Sequence, residues 1–377
     1  MKTTGIICEF NPLHLGHAKL LRLARTHVGE DGGVVCLMSG NFVQRGAPAV
    51  FDKSLRAEAA LLCGADLVLE LPVTGSLSSA EGFAAEGVRI LSGFCDFLSF
   101  GAESGDADAL LDTAARLLAP DFPEKLRVYL DQGLSFPAAR QAALGSDLLS
   151  SPNDILGVEY CKAILSQNAA MQPHVIRRLG SYHDTAPDPE NPSATALRGL
   201  LGENADWLLY VPEAARACFK NAAVHTLEQG EKAVLARLRT MTEAEFSRLP
   251  HGSEGLWRKF MHAAREKSTI EQIQTTVKSK RYTRTRLDRM LMCAFLGITD
   301  EMLHTPAPYT RVLAFNDRGR ELLKEARRSG EFINAGTPTG HPFEALEYRC
   351  GALYSLFSPT PEPPDAEAKR RIVYIPM

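Results

Sequence analysis

Apolar residues fall in short runs through the first hundred positions and in helical stripes after them. The runs over 3–10, 34–39, 65–71 and 97–101 are nearly unbroken, as strands buried on both faces require. Between them, 14–26, 53–63 and 80–92 carry apolar residues at helical spacing. Strands separated by helices of that length predict parallel βαβ units. Such open sheets bind ligands at the carboxyl ends of their strands. Helical periodicity continues through 107–118, 124–132, 138–145 and 155–167, and a short strand is predicted over 174–178. Asp184 to Pro192 holds Pro187, Pro189 and Pro192 among polar residues, which predicts a loop. Beyond Ala205 the pattern is mainly helical, with prolines at 359–364 before a closing apolar run, Ile372 to Ile375. The expected architecture is α/β, a Rossmann-like parallel sheet over residues 1–200 followed by a mainly helical domain over 201–377.

Length and composition sharpen this picture only slightly. A chain of 377 residues exceeds one ordinary core, so two domains are expected. Hydrophobic content of 45% and charged content of 23% are those of a globular protein. No stretch approaches the roughly 20 uncharged apolar residues of a membrane span. The chain runs straight into a strand with no signal peptide, so a cytoplasmic location is expected. The eight cysteines are scattered without a CxxC pair, which predicts neither a zinc site nor a disulfide framework.

A net charge of −3 argues against a uniformly basic coat for nucleic acid but leaves room for a local patch. Lys278, Lys280, Arg281, Arg284, Arg286 and Arg289 fall within twelve residues, with Asp288 the sole acid among them and Tyr282 interleaved. Read as one helix, 281, 284 and 288 share a face, and 278, 282, 285, 286 and 289 share another. This density points to binding of a phosphate backbone, with Arg311, Arg318 and Arg320 extending the surface.

The most informative segment is Ile7-Cys8-Glu9-Phe10-Asn11-Pro12-Leu13-His14-Leu15-Gly16-His17-Ala18-Lys19-Leu20. An apolar run breaks at Asn11-Pro12, and two histidines flank a glycine where a helix begins. A helix start offers unpaired N–H groups and a positive dipole end, which suits phosphate. Gly16 removes a side chain that would hold a nucleotide off the backbone. The histidines supply donors for charge that grows on phosphorus during reaction. The segment therefore reads as a site for the α-phosphate of ATP.

Other segments are open to two readings each. Ser39 to Gly46 is either an ordinary turn or a loop facing ligand. Asp52 is an expected N-cap. Lys53 and Arg56 are solvated first-turn charges, or anchors for pyrophosphate or RNA. Gly101 ends a strand where adenine or ribose can approach, or simply terminates it. Asn153 caps a helix or contacts nucleotide, and Arg178 is a phosphate fork or a surface charge. Ser193, Thr195 and Arg198 stand at a helix start, forming a second candidate phosphate site or a simple cap.

His-x-Gly-His directly after a first strand resembles the signature of the nucleotidylyltransferase superfamily of Rossmann-like, HUP-type enzymes. Ser193 to Arg198 resembles that superfamily's second motif, Ile-Ser-Ser-Thr-x-Ile-Arg, with Ala194 replacing one hydroxyl residue and Leu197 the isoleucine. A longer set of stretches resembles one family, the bacterial tRNA(Met) cytidine acetate ligases. These are Glu9–His17, Met38–Gly46, Asp52-Lys53, Asp66–Pro72, Phe100–Glu103, Pro152–Gly157, Gly180–Asp184, Lys280–Leu287 and Arg311–Phe315, in order over most of the chain.

That resemblance implies an enzyme that uses ATP to make acetyl-adenylate. It then joins the acetyl group to N4 of the wobble cytidine in elongator tRNA(Met), without acetyl-CoA. It implies an ATP site formed by Ile7 to Leu20, Gly101, Asn153 and Arg178, with His14 and His17 catalytic. Thr195 and Arg198 would hold the β and γ phosphates. Mg2+ is an expected companion of ATP, although no protein ligand for it is evident. Neither a membrane nor a protein partner is implied. Two other readings are an adenylyltransferase acting on a phosphorylated cofactor precursor and a tRNA-binding protein with a vestigial pocket.

Overall fold

The computed structural model describes residues 1–178, 188, 192–201, 206–329, 333–334 and 336–377. Ten strands are assigned among them: β1 Thr3–Cys8, β2 Gly33–Ser39, β3 Phe42–Val43, β4 Ala47–Pro48, β5 Leu67–Leu71, β6 Phe97–Ala102, β7 Gln172–Arg177, β8 Thr310–Phe315, β9 Ile333–Asn334 and β10 Val373–Tyr374. The main sheet runs β10-β8-β5-β2-β1-β6-β7, with β9 beside β8. β1 lies parallel to β2 and β6, β2 parallel to β5, and β6 parallel to β7. This is the doubly wound, mostly parallel sheet expected from the spacing of the apolar runs.

Every residue of β1, β2 and β5 is buried, because helices cover both faces of the sheet. Successive residues of a strand point to opposite faces. Ile7, Leu37 and Leu69 therefore meet Phe83, Val88 and Val158 on one side. Ile6, Cys36 and Met38 meet Leu21, Ala24, Ala57 and Ala60 on the other. Each buried Leu or Ile contributes about 1.5–3 kcal/mol, so these two layers hold the strand ends that carry the site. Most of the expected helices are present, among them Leu15–Val28, Lys53–Leu62, Ala80–Leu91 and Pro152–Ser166. The loop expected over 184–192 and the family-like stretch Gly180–Asp184 lie outside the described residues, apart from Asp188 and Pro192.

The second half does more than follow the sheet. β8 pairs antiparallel with β5, and β10 then forms the sheet edge. This corrects the reading of Arg311 and Arg318 as an extension of a basic surface, while Arg320 stays exposed. Arg311 Nη1 lies 2.6 Å from Glu367 Oε1, Arg318 Nη1 lies 3.2 Å from Asp66 Oδ1, and Arg320 Nη1 lies 3.5 Å from Asp317 Oδ1. Pairing of β8 with β5 brings Asp66 to Arg318 and packing of the C-terminal segment brings Glu367 to Arg311, whereas Asp317 is a near neighbour of Arg320 along its own helix.

Lys53 and Arg56 fit neither of their expected readings. Lys53 is 3% exposed, with Nζ 2.7 Å from Glu70 Oε1 and 2.6 Å from Glu367 Oε1. Arg56 is fully buried and donates to the carbonyls of Phe51 at 2.9 Å, Glu9 at 2.6 Å, Ser39 at 3.0 Å, and Gly40. Its planar fork ties together the chain segments leaving β1 and β2. Both side chains brace the edge of the sheet from within. Asp52 does cap its helix, its Oδ1 accepting from Ser54 N at 2.8 Å.

The helical half has its own core, including Val234, Leu238, Phe246, Phe260, Ile273, Met290 and Phe295, and Phe42 and Leu77 from the first half enter it. The two halves thus share apolar contacts close to the carboxyl edge of the sheet.

Candidate functional site

Beyond Cys8 the chain passes through Glu9, Phe10 (φ 46°) and a cis Asn11–Pro12 bond, then enters helix Leu15–Val28. His14 is the N-cap, its Nδ1 accepting from Gly16 N at 3.2 Å. That bond leaves the proton of the neutral ring on Nε2. A Cβ on Gly16 would stand 3.1 Å from His14 Cε1, so glycine lets the imidazole lie against the helix start. His17, one turn on, stacks on His14 with centroids 3.7 Å apart and an interplanar angle of 27°. Its Nδ1 is enclosed and has no partner among the described residues.

Burial pushes both imidazoles down, helped for His14 by His17, Arg178 and Arg198, and for His17 by Arg178. His17 is brought to about 3, and His14 falls well below its ordinary 6.5. Both rings are therefore neutral donors at physiological pH, while in the unfolded chain they titrate near 6.5. Unfolding takes up protons in that window, so stability falls as pH drops from about 6.5 toward 3. We expect the melting temperature to fall between pH 6.5 and 4, and to fall less steeply in His17→Asn. Equal slopes for the two proteins would contradict this assignment.

The histidines open onto a cavity of about 870 Å3. Of the residues expected to hold ATP, Ile7, Cys8, Glu9, Phe10, Asn11, His14, Gly16, His17, Lys19, Leu20, Gly101, Asn153 and Arg178 line it. Leu13 turns instead into the core at 0% exposure, while Pro12, Leu15 and Ala18 are not among the lining residues. A Cβ at Gly101 would meet nothing nearer than Ile176 O at 3.9 Å, so the strand is open to the cavity there. Asn153 does not act as a cap; its Nδ2 donates to Glu103 Oε1 at 2.7 Å and its Oδ1 accepts from Arg178 Nη1 at 3.4 Å.

Of the second candidate phosphate group, Arg198 reaches the cavity and Ser193 and Thr195 do not line it. Ser193 caps helix Ala194–Leu200, its Oγ accepting from Ala196 N at 3.1 Å. Thr195 Oγ1 accepts from Arg198 Nη2 at 3.0 Å, and Arg198 Nη1 donates to the Asn11 carbonyl at 2.8 Å. Arg198 thereby joins this helix to the turn that carries the histidines.

The loop after β2 faces the cavity, with Gln44 and Arg45 in its wall. Gln44 N donates to Glu9 Oε1 at 2.7 Å. Gly46, at φ 77°, packs where a Cβ would drive into the Asp288–Arg289 backbone. Sequence reasoning missed the apolar wall, which includes Phe83, Phe100, Leu156, Tyr160 and Ile176. In sequence these residues are indistinguishable from core, because their periodicity is that of buried strands and helices.

The basic cluster needs correcting in two respects. It is not one helix: Ile270–Val277 ends before it, and a new helix, Arg284–Leu296, starts with Thr283 as N-cap. Nor is it unopposed. Arg281 lies 2.5 Å from Glu254, and Arg284 lies 2.7 Å from Glu271 and 3.1 Å from Asp288. Arg286 donates to the His251 carbonyl and to Ser253 Oγ, both at 2.9 Å. Apart from Asp288, which lies in the same helix, these partners come from a separate loop and helix, out of reach of a twelve-residue window. Lys278 and Lys280 are exposed, whereas Thr283, Thr285 and Arg289 line the same cavity as the histidines. Among the described residues, no group of three or more His, Cys, Asp or Glu is placed to hold a metal. No helix among them is long and apolar enough to cross a membrane.

Residues 1–368 match the family model described as HIGH Nucleotidyl Transferase. The tRNA(Met) cytidine acetate ligase of Clostridium tetani is 35% identical, over 99% of this chain and 100% of its own length. That of Clostridium novyi is 37% identical, over 87% of this chain and 88% of its own. The crystal structure of Thermotoga maritima TmcAL in its apo form I superposes with a TM-score of 0.91 at 30% identity, covering 100% of both chains. The form II crystal of that protein, bound with alpha-thio ATP, gives a TM-score of 0.89 at 29% identity with the same coverage.

Proposed function

Because this chain belongs to the HIGH nucleotidyl transferase family, and within it to the tRNA(Met) cytidine acetate ligases, we propose that it activates acetate with ATP and acetylates N4 of the wobble cytidine of elongator tRNA(Met). The observation that carries this reading is the shared cavity. The His14-x-Gly-His17 turn and the helical half's Thr283, Thr285 and Arg289 line one space of about 870 Å3. A cofactor adenylyltransferase uses the first wall and has no need of the second.

In the first step an acetate oxygen attacks the α-phosphorus of ATP. The bond from that phosphorus to the bridging oxygen breaks, and pyrophosphate leaves. Negative charge grows on the nonbridging oxygens, where neutral imidazole donors and the helix N-terminus stabilise it. His14 Nε2–H and His17 are assigned that role, with Gly101, Asn153 and Arg178 holding the nucleotide and Arg198 the departing phosphates. In the second step N4 attacks the acetyl carbonyl of the mixed anhydride, the carbon–oxygen bond to AMP breaks, and the amine gives up a proton. The exposed Lys278 and Lys280, with Arg281, Arg284 and Arg286, are assigned to the approaching tRNA backbone. Mg2+ finds no convergent donor set among the described residues, so we derive no step through it. The proposed site of action is the cytoplasm, where the tRNA substrate is found.

The test is incubation with ATP, labelled acetate and elongator tRNA(Met). Label should appear on cytidine only when ATP is present. Label arriving equally well from acetyl-CoA without ATP would overturn the ligase mechanism.

A further inference from the structure

We propose that Arg289 reads the acceptor base, donating from its guanidinium edge to O2 and N3 of a cytosine ring that enters the cavity. This rests on the acetylation reading above and deepens it by naming the residue that selects the base. Arg289 lies in helix Arg284–Leu296 and lines the cavity. Among the described residues its Nε is enclosed and has no partner, and its Nη1 reaches only the Gln44 carbonyl, at 3.4 Å. Arg289 is half-buried, and an enclosed guanidinium N–H left unmet is costly, so the position favours a ligand that supplies acceptors to its cavity-facing edge. Its neighbours Arg281, Arg284 and Arg286 already have protein partners at 3.1 Å or less.

Position supports the same reading. Gly46 packs on the Asp288–Arg289 backbone, Arg289 touches Gln44, and Gln44 N binds Glu9 directly after β1. Arg289 is thereby connected, over three residues, to the turn that carries His14 and His17. Thr283 and Thr285, whose hydroxyls lie 3.3 Å apart, add polar groups to the same wall.

The chemistry of the base fits a fork. Cytosine presents two neighbouring acceptors, O2 and N3, beside its N4 amine, and two parallel guanidinium N–H groups match them. Uracil carries an N–H at N3, which would set donor against donor. Holding O2 and N3 leaves N4 free to face the activated acetyl group.

The test uses the full chain with Arg289→Lys and Arg289→Gln. Acetate-dependent ATP–pyrophosphate exchange, which needs no tRNA, should stay within about twofold of the unsubstituted protein and reports that both variants fold. Acetylation of elongator tRNA(Met), as kcat/KM, should fall about 10- to 100-fold in both, the scale of one bidentate base contact. The unsubstituted protein should bind a transcript with C34 at least tenfold tighter than one with U34, and Arg289→Lys should lose that preference. Full acetylation and retained preference in Arg289→Lys would mean that Arg289 acts as a point charge on phosphate, overturning the proposal. Loss of exchange would place it in the acetate or ATP step, and unchanged acetylation in both variants would also overturn it. Absence of exchange in the unsubstituted protein would instead sink acetate activation, and this inference with it.

Discussion

His14→Asn and His17→Ala should both fold and should each lose at least 100-fold of acetate-dependent pyrophosphate exchange. Removing one donor aimed at charge developing in a transition state lowers kcat by roughly 10²–10³. His14→Asn separates structure from chemistry. His14 Nδ1 caps the helix through Gly16 N, and an asparagine Oδ1 can accept the same bond. That variant should melt within about 3 °C of the unsubstituted protein, because a retained cap preserves about 1 kcal/mol. What it lacks is a donor at the position of Nε2. Because burial holds both rings neutral, their donor capacity does not depend on acidic pH. Exchange within tenfold of normal in either variant would remove the histidines from the chemistry.

The largest expected loss of stability comes from a residue far from the cavity's histidines. Glu367→Ala should destabilise the fold by about 3–5 kcal/mol, the scale for stranding buried charges. Glu367 is 2% exposed and lies 2.6 Å from both Lys53 Nζ and Arg311 Nη1. Arg370 Nε lies 3.1 Å from its second oxygen. Burial alone would raise this carboxyl, but Lys53, Arg311 and Arg370 outweigh burial and bring it to about 2. Its contribution is thus complete above about pH 4.5 and is lost as pH falls toward 2. Denaturant unfolding at pH 7 measures the loss, and a Lys53→Met, Glu367→Ala double variant should be less destabilised than the sum of the singles. A loss under 1 kcal/mol, or strict additivity, would show that Glu70 alone neutralises Lys53.

Much of this protein was legible from its order of residues. The runs at β1, β2, β5 and β6 and their intervening helices stand within a few residues of where periodicity puts them, since burial on both faces leaves an unbroken apolar signature. The His14-x-Gly-His17 turn was legible because helix starts, glycine and imidazole spacing are properties of near neighbours. Asp52 as a cap follows from the same local chemistry.

Tertiary structure alone decided what depends on distant partners. Lys53, Arg56 and Arg311 look like available cations in sequence, yet in the fold Glu70, Glu367 and backbone carbonyls enclose them. Arg281 and Arg284 gain Glu254 and Glu271 from a separate loop and helix, while Arg289, far along the chain from the histidines, comes to line the same cavity. The physical reason is range. Periodicity, caps and turns are set by interactions within a few residues, whereas the pairing of a buried charge is set by which strands and helices the hydrophobic effect brings together.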